Sequence, residues 1–505
     1  MDTTDFAILV GRLERDCDRS PRNYALRVAL VAALGYLLPA LLAIGAVVSL
    51  IFVLIAAVAG RTPDVWAIAC LVVAASLLVA TLRSLSFETA PPSGRDVGPD
   101  DAPGLFAAID ELVQKMSTSR NGTTTTAAIH WVTLDREFGL ALRQCARRGV
   151  FGGYVNHLQI GVPLLMALSI AEFKTVLAHE IGHLGAAHNR FSSWIYRLRT
   201  SWLALLPKFD TPETLWDRAL ATIYARYIPY FHAYTFVMAR NHEYAADRAA
   251  ARATNNRVLG RALVKLALIG RFLAEVFWRR LFDEVEKVPE PQYMPYAVMP
   301  RALTFAQKEW QRSDWLHASL RSYDGEDEVH PGLGERLAAL DVPPEMPTHV
   351  AEKTALSLLG DATAVVKWCD EQWREEYVPA WRKRHETIRE AHWKIAQYEN
   401  AAEADLKTED LWQKASLLLD VAREHEAIET LQTLVTRDEK AAQAQFLLGR
   451  LLLERGDERG LQHLTLAARS DPELLDAVGE LGYGYLIERG RRGEAQRFWD
   501  RVSAA

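Results

Sequence analysis

The sequence predicts a mainly α-helical chain with one small β-sheet, led by a transmembrane helical hairpin and closed by solenoid-type helical repeats. Three observations carry that expectation. Two long uncharged apolar runs lie near the N-terminus, short strand-like segments sit among helical patterns after residue 103, and the last hundred residues repeat at an offset of 34 positions.

The apolar runs come first. Residues 28–60 contain no charge, and residues 65–82 form a second uncharged run. A bilayer core needs about 20 apolar residues in a helix, so each run is long enough, the second only just. A signal peptide would have a shorter apolar core, a small-residue cleavage site and no second span. Pro39 and Gly45 are tolerated inside a membrane helix more readily than in a soluble one. We expect spans at about 28–59 and 65–82 within an N-terminal segment, residues 1–87. Arg12, Arg15, Arg19, Arg22 and Arg27 precede the first run, Arg83 and Arg95 follow the second, and only Arg61 lies between them. The positive-inside rule therefore places both flanks in the cytoplasm, with residues 61–64 outside and the lipid bilayer as a partner.

Residues 88–103, rich in Pro, Gly and Asp, read as a linker. Residues 128–134 and 154–161 are rich in β-formers and bounded by turn residues, which predicts two short strands. Helical patterns cover residues 104–116, 163–168, 171–188 and most of 219–284, and a proline-rich stretch, residues 288–300, crosses to a second helical block containing His330. Between residues 191 and 238 no uncharged run is long enough to span. This gives a domain at 104–345, a helical connector at 346–404 and repeats at 405–505. In the repeats, Leu417, Leu418 and Leu419 recur as Leu451, Leu452 and Leu453, and again as Tyr485, Leu486 and Ile487. Ala422 recurs as Gly456 and Gly490, and Ala427 as Leu461 and Ala495. That period, with a small residue between two helices, matches the tetratricopeptide repeat.

Composition narrows the function classes. Half the 505 residues are apolar and 24% are charged, which excludes a disordered chain and allows two or three domains. A net charge of −6, without a basic stripe interleaved with aromatics, argues against nucleic acid as a partner. Cys17, Cys70, Cys145 and Cys369 are scattered without paired spacing, so neither a disulfide framework nor a zinc ribbon is expected.

The chemistry concentrates in His179-Glu180-Ile181-Gly182-His183, an HExxH sequence within a helical pattern. Residues four apart lie about 40° around a helix, so both imidazoles face one ion from adjacent turns. Glu180 between them lies close enough to take a proton from a zinc-bound water. The motif alone is only moderately specific; His385-Glu386 begins the same pattern but has Arg389 where the second histidine belongs. Catalytic zinc needs a third protein ligand. His188 fails the metzincin spacing, because Ala186 and Asn189 stand where Gly and His are required. Glu243, in Arg240-Asn241-His242-Glu243 followed by Asp247, is the other candidate. Glu243 can bind the ion while Asp247, four residues on, orients a ligating histidine. His242 points about 100° away from Glu243 and reads as surface or packing, not as a ligand.

These motifs, together with residues 172–178 before them and His330-Pro331 and Arg336-Leu337 after them, resemble metallopeptidase family 48. This is the gluzincin group of the HtpX heat-shock protease and the type 1 CAAX prenyl protease, and the resemblance spans roughly residues 103–340. It implies a zincin-like peptidase domain and one Zn2+ per chain, held by His179, His183 and Glu243. It further implies Glu180 as base and hydrolysis of peptide or protein substrates at a membrane, here a bacterial inner membrane with the catalytic domain cytoplasmic. It also brings the His330 loop beside the site, where the imidazole would serve as oxyanion donor or as a displaceable fourth ligand. Two features depart from the group. HtpX-type members carry further spans between HExxH and the third ligand, and Phe138-Gly139-Leu140-Ala141 stands where many members have Asn-Ala.

The expected substrate backbone lies extended along an edge strand such as 154–161, with Asn156 and Leu158 as binding residues. The repeats are expected to bind protein substrates or adaptors. The competing reading is a membrane-tethered repeat scaffold with a latent or vestigial peptidase site.

Overall fold

The computed structural model describes residues 3–117, 128–186, 190–212, 214–321, 331–347, 353–400 and 406–503. The chain is mainly helical with one four-stranded sheet, and it divides into two compact units: residues 1–279 with 293–372, and residues 280–292 with 373–505.

In the first unit, strands β1 (Arg95–Asp96), β2 (Trp131–Asp135), β3 (Leu140–Ala146) and β4 (Tyr154–Gly161) form a sheet of order β1-β2-β4-β3. β2 runs parallel to β4, Trp131 opposite His157, and β3 runs antiparallel to it, Leu142 opposite Leu158. The strand expected at the edge is therefore interior, paired on both sides, and β3 is the outer strand. β3 escaped the sequence reading because its Leu, Ala, Arg and Gln are helix formers; pairing with β4 overrides that local preference. The expected linker, residues 88–103, is also no free tether. It contributes β1, Thr89 N donates to Ala146 O at 2.9 Å, and Val97 N donates to Val132 O at 3.0 Å.

The helices begin with α1 (Thr3–Arg19), α2 (Pro21–Leu34), α3 (Leu37–Val58) and α4 (Val65–Leu85). α3 and α4 are long and apolar enough to cross a membrane, and almost nothing covers them. The uncharged run 28–60 does not form one helix, because it breaks at Gly35-Tyr36. Pro39 has no N–H to give the Gly35 carbonyl. The Tyr224 hydroxyl donates to that carbonyl instead, at 3.1 Å, and the Tyr227 hydroxyl donates to Val31 O at 3.1 Å. Gly35 is required there, since a Cβ would lie 2.6 Å from the Tyr227 hydroxyl. One face of the chain before the break belongs to the helical core of this unit. Phe6, Leu13, Tyr24, Val28 and Ala32 are buried with Trp202, Tyr224 and Phe231.

Behind the sheet lie α5 (Pro103–Ser117), α6 (Val162–Ala167), α7 (Ile170–Ile181), α8 (Arg190–Leu203), α9 (Leu206–Asp210), α10 (Leu215–Ala253) and α11 (Asn256–Phe272). α7 starts with a reciprocal cap: the Ser169 hydroxyl accepts from Glu172 N, and Glu172 accepts from Ser169 N at 2.8 Å. α10 starts the same way, with Thr214 and Asp217. Pro229 inside α10 leaves it one continuous helix.

In the second unit the helices Thr408–Asp420, Glu424–Arg437, Ala442–Glu454, Gly460–Ser470, Leu475–Glu488 and Arg492–Ser503 form three successive hairpins. Ala422, Gly456 and Gly490, 34 residues apart, each adopt positive φ at a hairpin turn. Leu418, Val421 and Ala427 pack on Ile388, Ala391 and Ile395, so this unit's core begins well before residue 405.

Candidate metal centre

α7 carries His179 and Glu180, and the helix widens into a π turn, Gly182–Ala186, that carries His183. Such widened turns recur at functional sites because they re-aim one side chain. α10 crosses at Gly182, where an added Cβ would lie 3.2 Å from the Ala246 Cα. This close approach brings Glu243 and Asp247, which flank Ala246, up to the two histidines.

Nε2 of His179 and Nε2 of His183 are 3.2 Å apart. The Glu243 carboxylate lies 3.4 Å from the first and 3.5 Å from the second. A tetrahedral ion with ligand bonds of about 2.0–2.1 Å separates its donors by about 3.3 Å, so the two Nε2 atoms and the Glu243 carboxylate, Oε2 toward His179 and Oε1 toward His183, are spaced as zinc ligands would be. Two imidazoles and one carboxylate also suit zinc chemically. Among the described residues this is the one group of three or more His, Cys, Asp or Glu side chains gathered closely enough for a metal ion. The residues fit the expected Zn2+.

The surroundings favour a cation. His179, Glu243 and Asp247 are buried. Burial alone would lower the His179 pKa, but hydrogen bonds to Asp247 and Glu243 outweigh it and raise it to about 9. A metal would take the proton's place at Nε2 while Nδ1–H keeps its bond to Asp247, at 2.8 Å. Burial likewise pushes the Asp247 carboxyl up, but Arg336 and His179 hold it well below the usual carboxylate range. Arg336 grips Asp247 with two bonds, Nε at 2.9 Å and Nη2 at 2.7 Å. Its 3.4 Å approach to His179 Nδ1 is that of two donors flanking one acceptor.

Glu180 Oε2 accepts from Leu142 N of the outer strand at 2.9 Å, and Glu180 lines a cavity of about 400 Å³ together with His179. The remaining wall is mostly apolar, including Phe138, Leu140, Val176, Leu263 and Leu266, with Arg336.

Two expected substrate residues lie elsewhere. Leu158 is fully buried, and Asn156 donates to Ala128 O at 2.8 Å and accepts from Gln144 at 3.1 Å. Both sit on interior β4, closed to an added strand, and neither lines the cavity. Of the two readings of His242, surface or packing, the buried side chain fits packing: its ring is stacked 5.1 Å from that of Tyr196, which also stacks on His183. His188 and His330 lie outside the described residues. Sequence reasoning assigned no role to Tyr196 or Arg336. Arg336 was visible as the residue after the His-Pro loop, but nothing local says which carboxylate it meets.

No curated protein matches the chain. A family model does: residues 151–343, which contain every side chain of this centre, match the one described as peptidase family M48. Over that segment the chain is similar to peptidase family M48, which supports a metallopeptidase.

Proposed function

We propose that the chain is a membrane-anchored zinc endopeptidase acting on protein substrates, with its catalytic domain in the cytoplasm. The observation that carries the reading is the convergence of His179, His183 and Glu243 on one point, with Glu180 beside it at the cavity wall. Bound zinc would supply Lewis acidity toward the scissile carbonyl and the attacking water. Glu180 takes the proton of that water and returns it to the leaving amine. Asp247 and Arg336 keep His179 in one tautomer and orientation.

The substrate backbone would lie against the outer side of β3. Leu142 N points outward to Glu180, and alternation along a strand turns the Leu140 and Gln144 backbone groups the same way. A side chain next to the scissile bond would enter the apolar cavity, which favours apolar residues there. His330 is the proposed oxyanion donor; His330→Ala should then lower kcat by about 10²–10³ with little change in KM.

α3 and α4, uncovered and apolar, support the anchor, and the arginine distribution supports the cytoplasmic side. The helical hairpins of the second unit, with their 34-residue recurrence, support tetratricopeptide-like recruitment of substrates or adaptors. The test is the full chain in nanodiscs with a quenched peptide library and casein. Zinc-dependent cleavage that disappears in Glu180→Gln supports the reading. A wild-type chain that holds stoichiometric zinc and cleaves neither would favour a scaffold with a latent site.

A further inference from the structure

Helix α2 presents two opposite apolar faces. Tyr24, Val28 and Ala32 are buried in the soluble core. On the other side Leu26, Leu30 and Leu34 are 60%, 60% and 56% exposed. Spaced four apart, they form one stripe, and it runs on past the break into Leu37 and Leu41 of α3, which are equally bare. No described residue of the chain covers it.

The length of α3 limits what can cover that stripe. α3 has 22 residues, and at 1.5 Å per residue it already fills a hydrocarbon core of about 30 Å. α4, with 21, does the same. A straight continuation through α2 would carry Leu34, Leu30 and Leu26 about 5, 10 and 16 Å beyond the hydrocarbon, into headgroups and water. The break at Gly35-Tyr36 removes that requirement, because the chain can turn there. Arg19 and Arg22, both exposed, precede the N-terminal end of the stripe, and exposed Arg27, next to Leu26, pairs with Asp16. Cations beside an apolar helix face are what the boundary between anionic headgroups and acyl chains accommodates.

We propose that α2 lies in the membrane interface, its Leu26, Leu30 and Leu34 face sunk into the headgroup–acyl boundary of the leaflet that holds the inner ends of α3 and α4. The inference rests on the reading of α3 and α4 as a spanning hairpin and adds an orientation for the catalytic domain. α10 runs antiparallel beside α2, tied by the Tyr24 hydroxyl to Tyr234 O at 2.7 Å and the Tyr224 hydroxyl to Gly35 O at 3.1 Å. With α2 in the interface, α10 also lies along the bilayer. An upright α10 would instead lift Glu243 about 39 Å beyond Asp217, which is bonded to Ser84 at the end of α4. The metal centre is therefore held near the membrane surface.

The test uses nitroxide labels on Leu30→Cys and Leu34→Cys in the full chain, with Cys17 and Cys70 replaced by Ala and buried Cys145 and Cys369 retained. The chain is reconstituted in vesicles containing phosphatidylglycerol. Collision with oxygen, which partitions into lipid, is compared with collision with a water-soluble nickel chelate. Ile51→Cys on α3 and Phe305→Cys on the soluble unit are the references. The expected result is that both α2 labels favour oxygen, at a depth of about 5–10 Å. Nickel access at Leu30 with Ile51 in lipid overturns the inference and leaves the hairpin standing. Exclusion of both reagents at Leu30, with disulfide-linked dimers of unlabelled Leu30→Cys, overturns it in favour of a second copy on the stripe. Nickel access at Ile51 overturns the hairpin, and this inference with it.

Discussion

Asp247 accepts the Nδ1–H of His179 at 2.8 Å while its carboxylate is clamped by Arg336. The carboxylate thereby fixes which nitrogen of the histidine faces Glu243. Asp247→Asn should weaken zinc binding by about 10–100-fold, measured by competition with a chelator. Unchanged affinity would show that His179 needs no such partner.

Glu180 and Glu243 sit within one centre but should separate cleanly. Glu180 bonds to Leu142 N and is absent from the donor triangle, so Glu180→Gln should retain metal and lose cleavage. Glu243→Ala should lose both. Metal content and peptide turnover, measured on the same preparations, give the comparison.

Beside Glu180, the apolar cavity should set selectivity. Leu266→Trp fills part of its 400 Å³ and should shift preference from large to small apolar side chains by about 10-fold or more. Competition among peptides differing at one position reads this. Equal loss for all peptides would mean that the cavity does not receive the substrate.

Lys265 and Glu172 form a buried ion pair at 3.0 Å that anchors the start of α7. Lys265→Met leaves the carboxylate buried without its cation and should cost about 3–5 kcal/mol in thermal unfolding. The pH dependence follows from Glu172. Burial raises its pKa, but Lys265 and the Ser169 cap outweigh this and hold it below the usual 4.5. A depressed folded value stabilises the fold above the unfolded pKa, and the contribution is lost as pH falls through the folded one. Glu172→Gln should therefore be less stable than wild type at pH 7, with the gap closing on acidification. A gap independent of pH would remove the ion pair as its cause.

Ala422 holds a left-handed conformation, φ 57°, where Gly456 and Gly490 stand in the following turns. An L residue there costs about 1–2 kcal/mol, partly offset by the entropy glycine brings to the unfolded chain. Ala422→Gly should raise the stability of the second unit by about 0.5–1 kcal/mol, read by denaturant unfolding. Destabilisation would mean that the three turns are not equivalent.

Most of what was legible in the sequence is local or periodic. His179, His183 and Glu180 share one helix, so spacing alone placed both imidazoles on one face. Glu243 and Asp247 were readable the same way, and the 34-residue recurrence of Ala422, Gly456 and Gly490 marked the hairpin turns. The apolar runs announced α3 and α4 because length and lack of charge are properties of the segment. What depended on the folded chain is non-local. Which strand is the edge follows from pairing order, and β4 became interior because β3, built of helix formers, found a partner there. Arg336 meets Asp247 from 89 positions along the chain, a pairing that no short window of sequence contains. The start of α3 was settled by Tyr224 and Tyr227, which satisfy carbonyls that Pro39 and the break leave open. Val28 and Ala32 were thereby drawn out of the apolar run and into the helical core, because a backbone acceptor must be paired wherever the chain brings it a donor.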